Sequence, residues 1–265
     1  MLNSLALRTD LALLELSGST VEDYGTHLVV RTPANPQFYW GNFLLLRRPP
    51  FPGGAREVLA AFDAEFPGAG HRAVTFDLPT LDEPPREVDV EEFVAAGMKA
   101  SRGVALTAAE LHPPAYPNTE AELRPLVGDE DWEQRIALSV AITEAEGAGS
   151  AEAFSRGKAA QERDLEARGL GQRWGAFAGE RLLATAGLYR VEGDLARYQS
   201  VETAADARRQ GLAGTLVHRL AEYGRDQLGA RTLVIVADAD DEAIRLYRSL
   251  GFVGTETIVE LYMRR

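Results

Sequence analysis

Eight consecutive residues, Arg208, Arg209, Gln210, Gly211, Leu212, Ala213, Gly214 and Thr215, combine the features that bind a pyrophosphate. They follow a strand-like run at residues 198–203 and open a helical pattern at about Leu212. The first turn of a helix leaves backbone N–H groups unpaired and carries a partial positive charge, so it attracts anions. Gly211 has no Cβ to hold a phosphate away from the main chain. Ala213 and Gly214 keep the next turn open, and Arg208 and Arg209 add charge-assisted donors. In isolation, a basic helix start with no ligand would read the same way.

Further on, residues 236–252 read VADADDEAIRLYRSLGF: a strand, an acidic cap, and a helix that stops at Gly251. In order and spacing the two segments resemble the GNAT superfamily of acyl-CoA-dependent N-acetyltransferases, over roughly residues 121–265. The resemblance implies an α/β (α+β) fold, a mixed and mostly antiparallel sheet flanked by helices. It also implies acetyl-CoA as co-substrate, with no metal. The turn from Arg208 to Thr215 would hold the CoA pyrophosphate. In such folds the fourth strand splays from the fifth, so the main chain at Val201, Glu202 and Thr203 is where pantetheine and the acyl oxygen are expected. Tyr247 matches the tyrosine that can protonate the departing thiolate. Asp240 stands three residues before Ala243, where the family commonly has a cofactor-binding asparagine; aspartate can cap the helix but only accepts.

Strand alternation places Glu202 on the face opposite Val201 and Thr203. A general base and a solvated strand-end carboxylate fit that position equally. His218, one turn into the helix, reads as a packed or surface residue.

These residues need a scaffold. Residues 122–127 read as a strand, 129–144 and 151–168 as helices, and 173–180, 181–191 and 196–203 as an antiparallel meander turning at Gly179 and Gly193. A helix at 212–228, a strand, a helix at about 241–250 and a final strand follow. In the first half, 4–15 reads as a helix, 27–36 and 38–48 as strands, 53–66 as a helix, 71–78 as a strand, 90–97 as a helix and 102–108 as a strand. A proline-rich loop precedes the helix at 90–97.

The order of elements in the first half recurs in the second, and FVAAGMK mirrors LYRSLGFV. This is either an internal repeat or ordinary α/β punctuation. As a repeat, it gives two tandem GNAT-like domains: residues 1–111 degenerate and without a CoA site, a linker at 112–120, and 121–265 catalytic. Where the second half has ARRQGLAGT the first has RRPPFPGGA, and Pro49, Pro50 and Pro52 offer no N–H. Trp40 and Asn42 either line a pocket or serve packing.

Composition sets the remaining bounds. The chain of 265 residues is 45% hydrophobic and 26% charged, as expected of a globular protein with a full core. It has no cysteine, which removes thiolate chemistry, and its four histidines have no metal-ligand spacing. The net charge of −12 argues against nucleic acid or an anionic membrane as partner and is compatible with a cationic acceptor. The N-terminus lacks the basic start of a signal peptide, and a cytoplasmic monomer or homodimer is expected. The function expected is acetyl transfer from acetyl-CoA to a primary amine of a small-molecule acceptor, by direct attack in a ternary complex. The alternative is a CoA-binding sensor or partner-binding module without turnover.

Overall fold

The computed structural model describes residues 2–79, 90–145 and 151–264; the proline-rich loop lies largely outside them. The chain forms two compact units. The first comprises Met1–Ala105, Val236–Asp241 and Gly254–Arg265, the second Leu106–Ile235 and Glu242–Val253.

In the first unit, α1 (Leu5–Leu16), β1 (Thr20–Asp23), β2 (His27–Arg31), β3 (Phe43–Leu46), α2 (Ala55–Glu65), β4 (His71–Phe76), α3 (Glu91–Ala95) and β5 (Lys99–Ala108) follow in sequence. The last strand of the chain, β11 (Val253–Arg264), joins them. The strand order is β1-β2-β3-β4-β11-β5. β1, β2 and β3 are antiparallel neighbours, β4 runs parallel to β3, and β11 lies antiparallel to β4 from Glu260 opposite Thr75 to Arg264 opposite His71.

Apolar residues run continuously through β2 and β3 because both faces are covered. Val29, Leu44, Val74 and Leu261 meet Leu59 and Phe62 of α2 and Phe93 of α3 on one face. Leu28, Val30, Leu45 and Ile258 meet Leu7, Leu11 and Leu14 of α1 on the other.

The expected strands at 27–36 and 38–48 are shorter than the sequence pattern. Pro33 and Pro36 cannot donate to a ladder, and residues 39–41 form a 3-10 turn. Asn42 staples this loop: its Oδ1 accepts from Thr32 N at 3.0 Å, and its Nδ2 donates to the carbonyls of Asn35 and Phe38 at 3.1 and 2.9 Å. It is a satisfied buried amide. Trp40 stands edge-on to Phe43, with ring centres 6.0 Å apart.

Carboxylates from distant elements cap two helices here. Glu256 of β11 takes the Ser4 hydroxyl at 2.6 Å and the N–H groups of Leu5 and Ala6 at 3.0 and 2.7 Å, at the start of α1. Glu92 of α3 takes the N–H groups of Gly53 and Ala55, at 2.5 and 3.3 Å, at the start of α2. At the α2 start the chain thus supplies its own anion.

The second unit contains β6 (Glu122–Pro125), α4 (Gly128–Ala145), α5 (Ala151–Ala167), β7 (Gly171–Ala178), β8 (Arg181–Glu192), β9 (Leu195–Thr203), α6 (Leu212–Leu228), the start of β10 (Thr232–Asp238) and α7 (Ala243–Ser249). β6, β7, β8 and β9 are successive antiparallel neighbours, and β10 is parallel to β9. α4 and α5 cover one face, where Trp132, Ile136 and Ala159 meet Leu126, Phe177 and Leu182. α6 covers the other, burying Leu212, Leu216, Val217, Leu220 and Leu228 at helical spacing.

Candidate active site

Two left-handed residues build the turn before α6: Arg209 at φ 59° and Gly211 at φ 75°. Alternation of this kind turns successive N–H groups toward one side and makes an anion-binding concavity. Gly211 is the N-cap, and no side chain caps the helix. The first-turn amides of Leu212, Ala213 and Gly214 therefore lack the usual side-chain acceptor. Arg208, Arg209 and Gln210 are exposed beside them. This donor set suits a pyrophosphate.

The open side of Gly211 has a different use from the one its sequence context implies. A Cβ there would lie 2.3 Å from the Tyr116 carbonyl oxygen, and one on Gly214 would lie 3.2 Å from Leu246 Cδ1 of α7 and 3.5 Å from Pro114 Cβ. Asn118 N donates to the Thr215 hydroxyl at 2.9 Å, and Asn118 Nδ2 to the Gln210 carbonyl at 2.9 Å. His112 N donates to the Leu250 carbonyl at 2.7 Å. The segment from His112 to Asn118 is thus a strap running from the end of α7 to the start of α6. Any phosphate must approach the α6 amides from the side the strap leaves open.

Strand β9 leads into this turn. Its parallel register with β10 covers Leu195, Ala196 and Arg197 and stops there, so the main chain from Tyr198 to Thr203 lies beyond the ladder. On its other edge β9 carries a bulge. Thr185 of β8 faces Glu202 and Gly187 faces Gln199, so Ser200 and Val201 stand against Ala186 alone. Ser200 is left-handed at φ 41°, a conformation non-glycine residues seldom adopt. Val201, Glu202 and Thr203 follow, all half-buried.

Glu202 pairs with Thr185 and shares the sheet face covered by α4 and α5. Its Oε2 is enclosed with no hydrogen-bond partner. Burial raises its carboxyl above the usual range, against the pull of Arg135 and Arg173 and a hydrogen bond with Ser139. A buried carboxyl poised upward is suited to proton abstraction; the alternative of a solvated strand-end carboxylate does not describe it.

Beneath Glu202 lies a buried ionic network that sequence reading does not reveal. Arg173 of β7 and Arg135 of α4 both pair with Glu162 of α5, at 2.7 and 3.2 Å. Burial would raise the Glu162 carboxyl, but the two guanidiniums hold it well below the usual range. Glu166 accepts from Arg173 N at 2.5 Å, yet burial and the charge of Glu162 bring its carboxyl up to about 7. Tyr189 buries its hydroxyl here without a partner, and burial holds the phenol well above its ordinary value. The signal was Glu162 in the stripe of small residues Ala151, Ser155 and Ala159, where a solvated helix would turn its charges away.

Tyr247 is 5% exposed on α7, with its ring edge-on to Phe252 at 6.1 Å. Tyr198 also stands edge-on to Phe252, with ring centres 6.0 Å apart, and its hydroxyl donates to the Val217 carbonyl at 2.7 Å. The Leu246–Gly214 approach brings α7 against the first turn of α6. Asp240 does not cap α7. The N-cap is Glu242, with no side-chain bond, and Asp240 N instead donates to Asp238 Oδ1 at 3.0 Å. Asp240 belongs to the first unit, and the other expected site residues belong to the second. His218 is half-buried on α6. Among the described residues no cluster of three or more His, Asp or Glu could hold a metal ion, and no helix is long and apolar enough to cross a membrane.

Comparison with known proteins agrees on the fold. Residues 137–252 match the acetyltransferase (GNAT) family. No curated protein sequence matches the chain. A GCN5-related N-acetyltransferase from Kribbella flavida has 18% identity and a TM-score of 0.65, covering 98% of this chain and 96% of its own. A tandem GNAT protein from the clavulanic acid biosynthesis pathway has 15% identity and a TM-score of 0.56, covering 97% and 94%. A conserved protein of unknown function from Staphylococcus epidermidis has 12% identity and a TM-score of 0.68, covering 92% and 93%. At such identities the likeness is one of fold.

Proposed function

With a GNAT-family acetyltransferase domain at residues 137–252 as the premise, we propose that the chain transfers an acetyl group from acetyl-CoA to a primary amine of a small-molecule acceptor, by direct attack in a ternary complex. The observation that carries this reading is the uncapped, arginine-flanked start of α6 at the foot of the bulged end of β9. Arg208, Arg209, Gln210 and the amides from Gly211 to Thr215 bind the pyrophosphate. The free main chain of Val201 and Thr203 holds the pantetheine arm and orients the acyl oxygen. When bound, acetyl-CoA supplies an activated thioester. Glu202 takes a proton from the acceptor ammonium or from the attacking nitrogen, and Tyr247 supplies one to the departing sulfur. Asp240 is assigned to the cofactor arm on its sequence position alone. In sequence, residues 121–265 are the catalytic half, although 236–241 and 254–265 pack with the first unit, and residues 1–111 are a degenerate counterpart without a CoA site.

One observation favours the alternative of a CoA-binding module without turnover: Tyr247 is buried against Phe252. Thiol release from acetyl-CoA across a panel of primary amines separates the two. The enzyme reading expects amine-dependent release. Saturable acetyl-CoA binding with no release on any amine would replace it with the module.

A further inference from the structure

Arg173 is fully buried and all five of its guanidinium N–H groups are used. Nε and one Nη2 proton go to Glu162 at 2.8 and 2.7 Å, and one Nη1 proton to the Thr185 hydroxyl at 3.4 Å. The remaining two reach across to β9, to the carbonyls of Gln199 at 3.2 Å and Ser200 at 3.1 Å. With no donor left over, Arg173 cannot bind a substrate. What it does hold is the β9 bulge, at the residue whose φ of 41° would otherwise relax.

We propose that Arg173 is a positioning residue: its guanidinium, neutralised by Glu162, locks Ser200 in its left-handed conformation. The lock fixes the direction in which the following residues, Val201 to Thr203, present their main chain and the Glu202 carboxyl. The acceptor strength of two adjacent carbonyls, met by one charged planar fork, gives the bulge a single geometry. Arg135 shares Glu162 and also pulls on the Glu202 carboxyl, but among the described residues its hydrogen bonds go to Glu162 and, at 3.5 Å, to the Ser155 carbonyl, and not to the β9 main chain. It is the internal control for the network alone.

The test compares Arg173→Lys, Arg135→Lys and the double variant Arg173→Lys/Ser200→Gly by amide hydrogen exchange at residues 200–203, and by kcat. Lysine keeps a buried positive charge near Glu162 but cannot span to both carbonyls. Arg173→Lys is expected to speed exchange at 200–203 at least tenfold, which Arg135→Lys does not. Because glycine enters the left-handed region without penalty, Ser200→Gly is expected to restore slow exchange in the double variant, a rescue that general loss of stability would not show. Unchanged exchange in Arg173→Lys, or no rescue, overturns the lock. If Arg173→Lys does not fold, the double variant decides: recovery of folding supports the lock, and failure to recover overturns it.

The kcat arm rests on the proposed function. Misplacing reacting groups by about 1 Å costs on the order of 10²-fold, so kcat is expected to fall ~10–100-fold in Arg173→Lys and to recover in the double variant. Faster exchange with unchanged kcat would overturn the positioning role. A wild-type protein with no transferase activity would refute the proposed function, while the exchange result alone would still decide the lock.

Discussion

Glu202 and Tyr247 divide the proposed proton traffic, and each can be tested separately. Burial raises the Glu202 carboxyl, so the rising limb of kcat with pH should stand above the ordinary carboxylate range. Glu202→Gln should lower kcat by ~10²–10⁴ and flatten that limb; an unchanged pH profile would remove Glu202 from the reaction. Tyr247→Phe keeps the ring against Phe252, so stability and acetyl-CoA affinity should hold while kcat falls, because proton donation matters only in the transition state. Equal kcat in an assay limited by chemistry would make Tyr247 a packing residue. Glu166 gives a stability test. With its carboxyl raised to about 7, above the ordinary carboxylate range, the folded state binds the extra proton. Stability should fall as pH rises from about 4.5 to about 7, and Glu166→Gln should show a shallower slope, the remainder coming from Glu202, which burial also raises. Thermal melts of both proteins across this range would show it. At this scale the sequence revealed the residues with motif context but not Arg135, Glu162 or Arg173. Charged side chains on a helix or strand read as solvated until the layer that buries them is known.

Among elements, α6 shows why a motif glycine can serve two purposes. Gly211 sits at φ 75° with its open side against the Tyr116 carbonyl. Gly211→Ala should therefore destabilise the protein by at least about 1–2 kcal/mol from the left-handed penalty alone, with the clash adding to it. A Gly211 variant that melts like wild type would mean the strap is not seated there. For the same reason, loss of cofactor binding in such a variant would not by itself locate the phosphate site; the exposed Arg208 is the better probe. The limits of α6 are legible from apolar spacing and glycine stops, and the meander from its turns. β1 and the 3-10 turn at 39–41 are not, being too short to establish a period. The strap is equally silent in sequence, since its contacts are main-chain groups that any residue carries.

For the whole molecule, two features answer how the halves differ. The first unit occupies its own helix start with Glu92, which matches the proposal of one CoA site per chain. Glu92→Ala should lower stability by about 0.5–2 kcal/mol, the usual range for losing a helix cap, seen as a lower urea midpoint; an unchanged midpoint would make the cap idle. The second feature is β11. Sequence position assigns residues 254–265 to the second half, yet they complete the first unit, where Ile258 and Leu261 enter opposite core faces and Glu256 caps α1. A strand with apolar residues toward both faces is legible as buried; which neighbour it pairs with depends on long-range contacts that no local pattern encodes.

The central claim is that the start of α6 is the cofactor site. Calorimetric titration of acetyl-CoA into wild type and into an Arg208→Ala, Arg209→Ala double variant tests it directly. One site per chain in wild type, weakened about tenfold or more in the variant with an unchanged melting temperature, is the predicted result, since each charge-assisted hydrogen bond is worth roughly 1.5–3 kcal/mol. Two equivalent sites, no binding by wild type, or equal affinity in both proteins would contradict it.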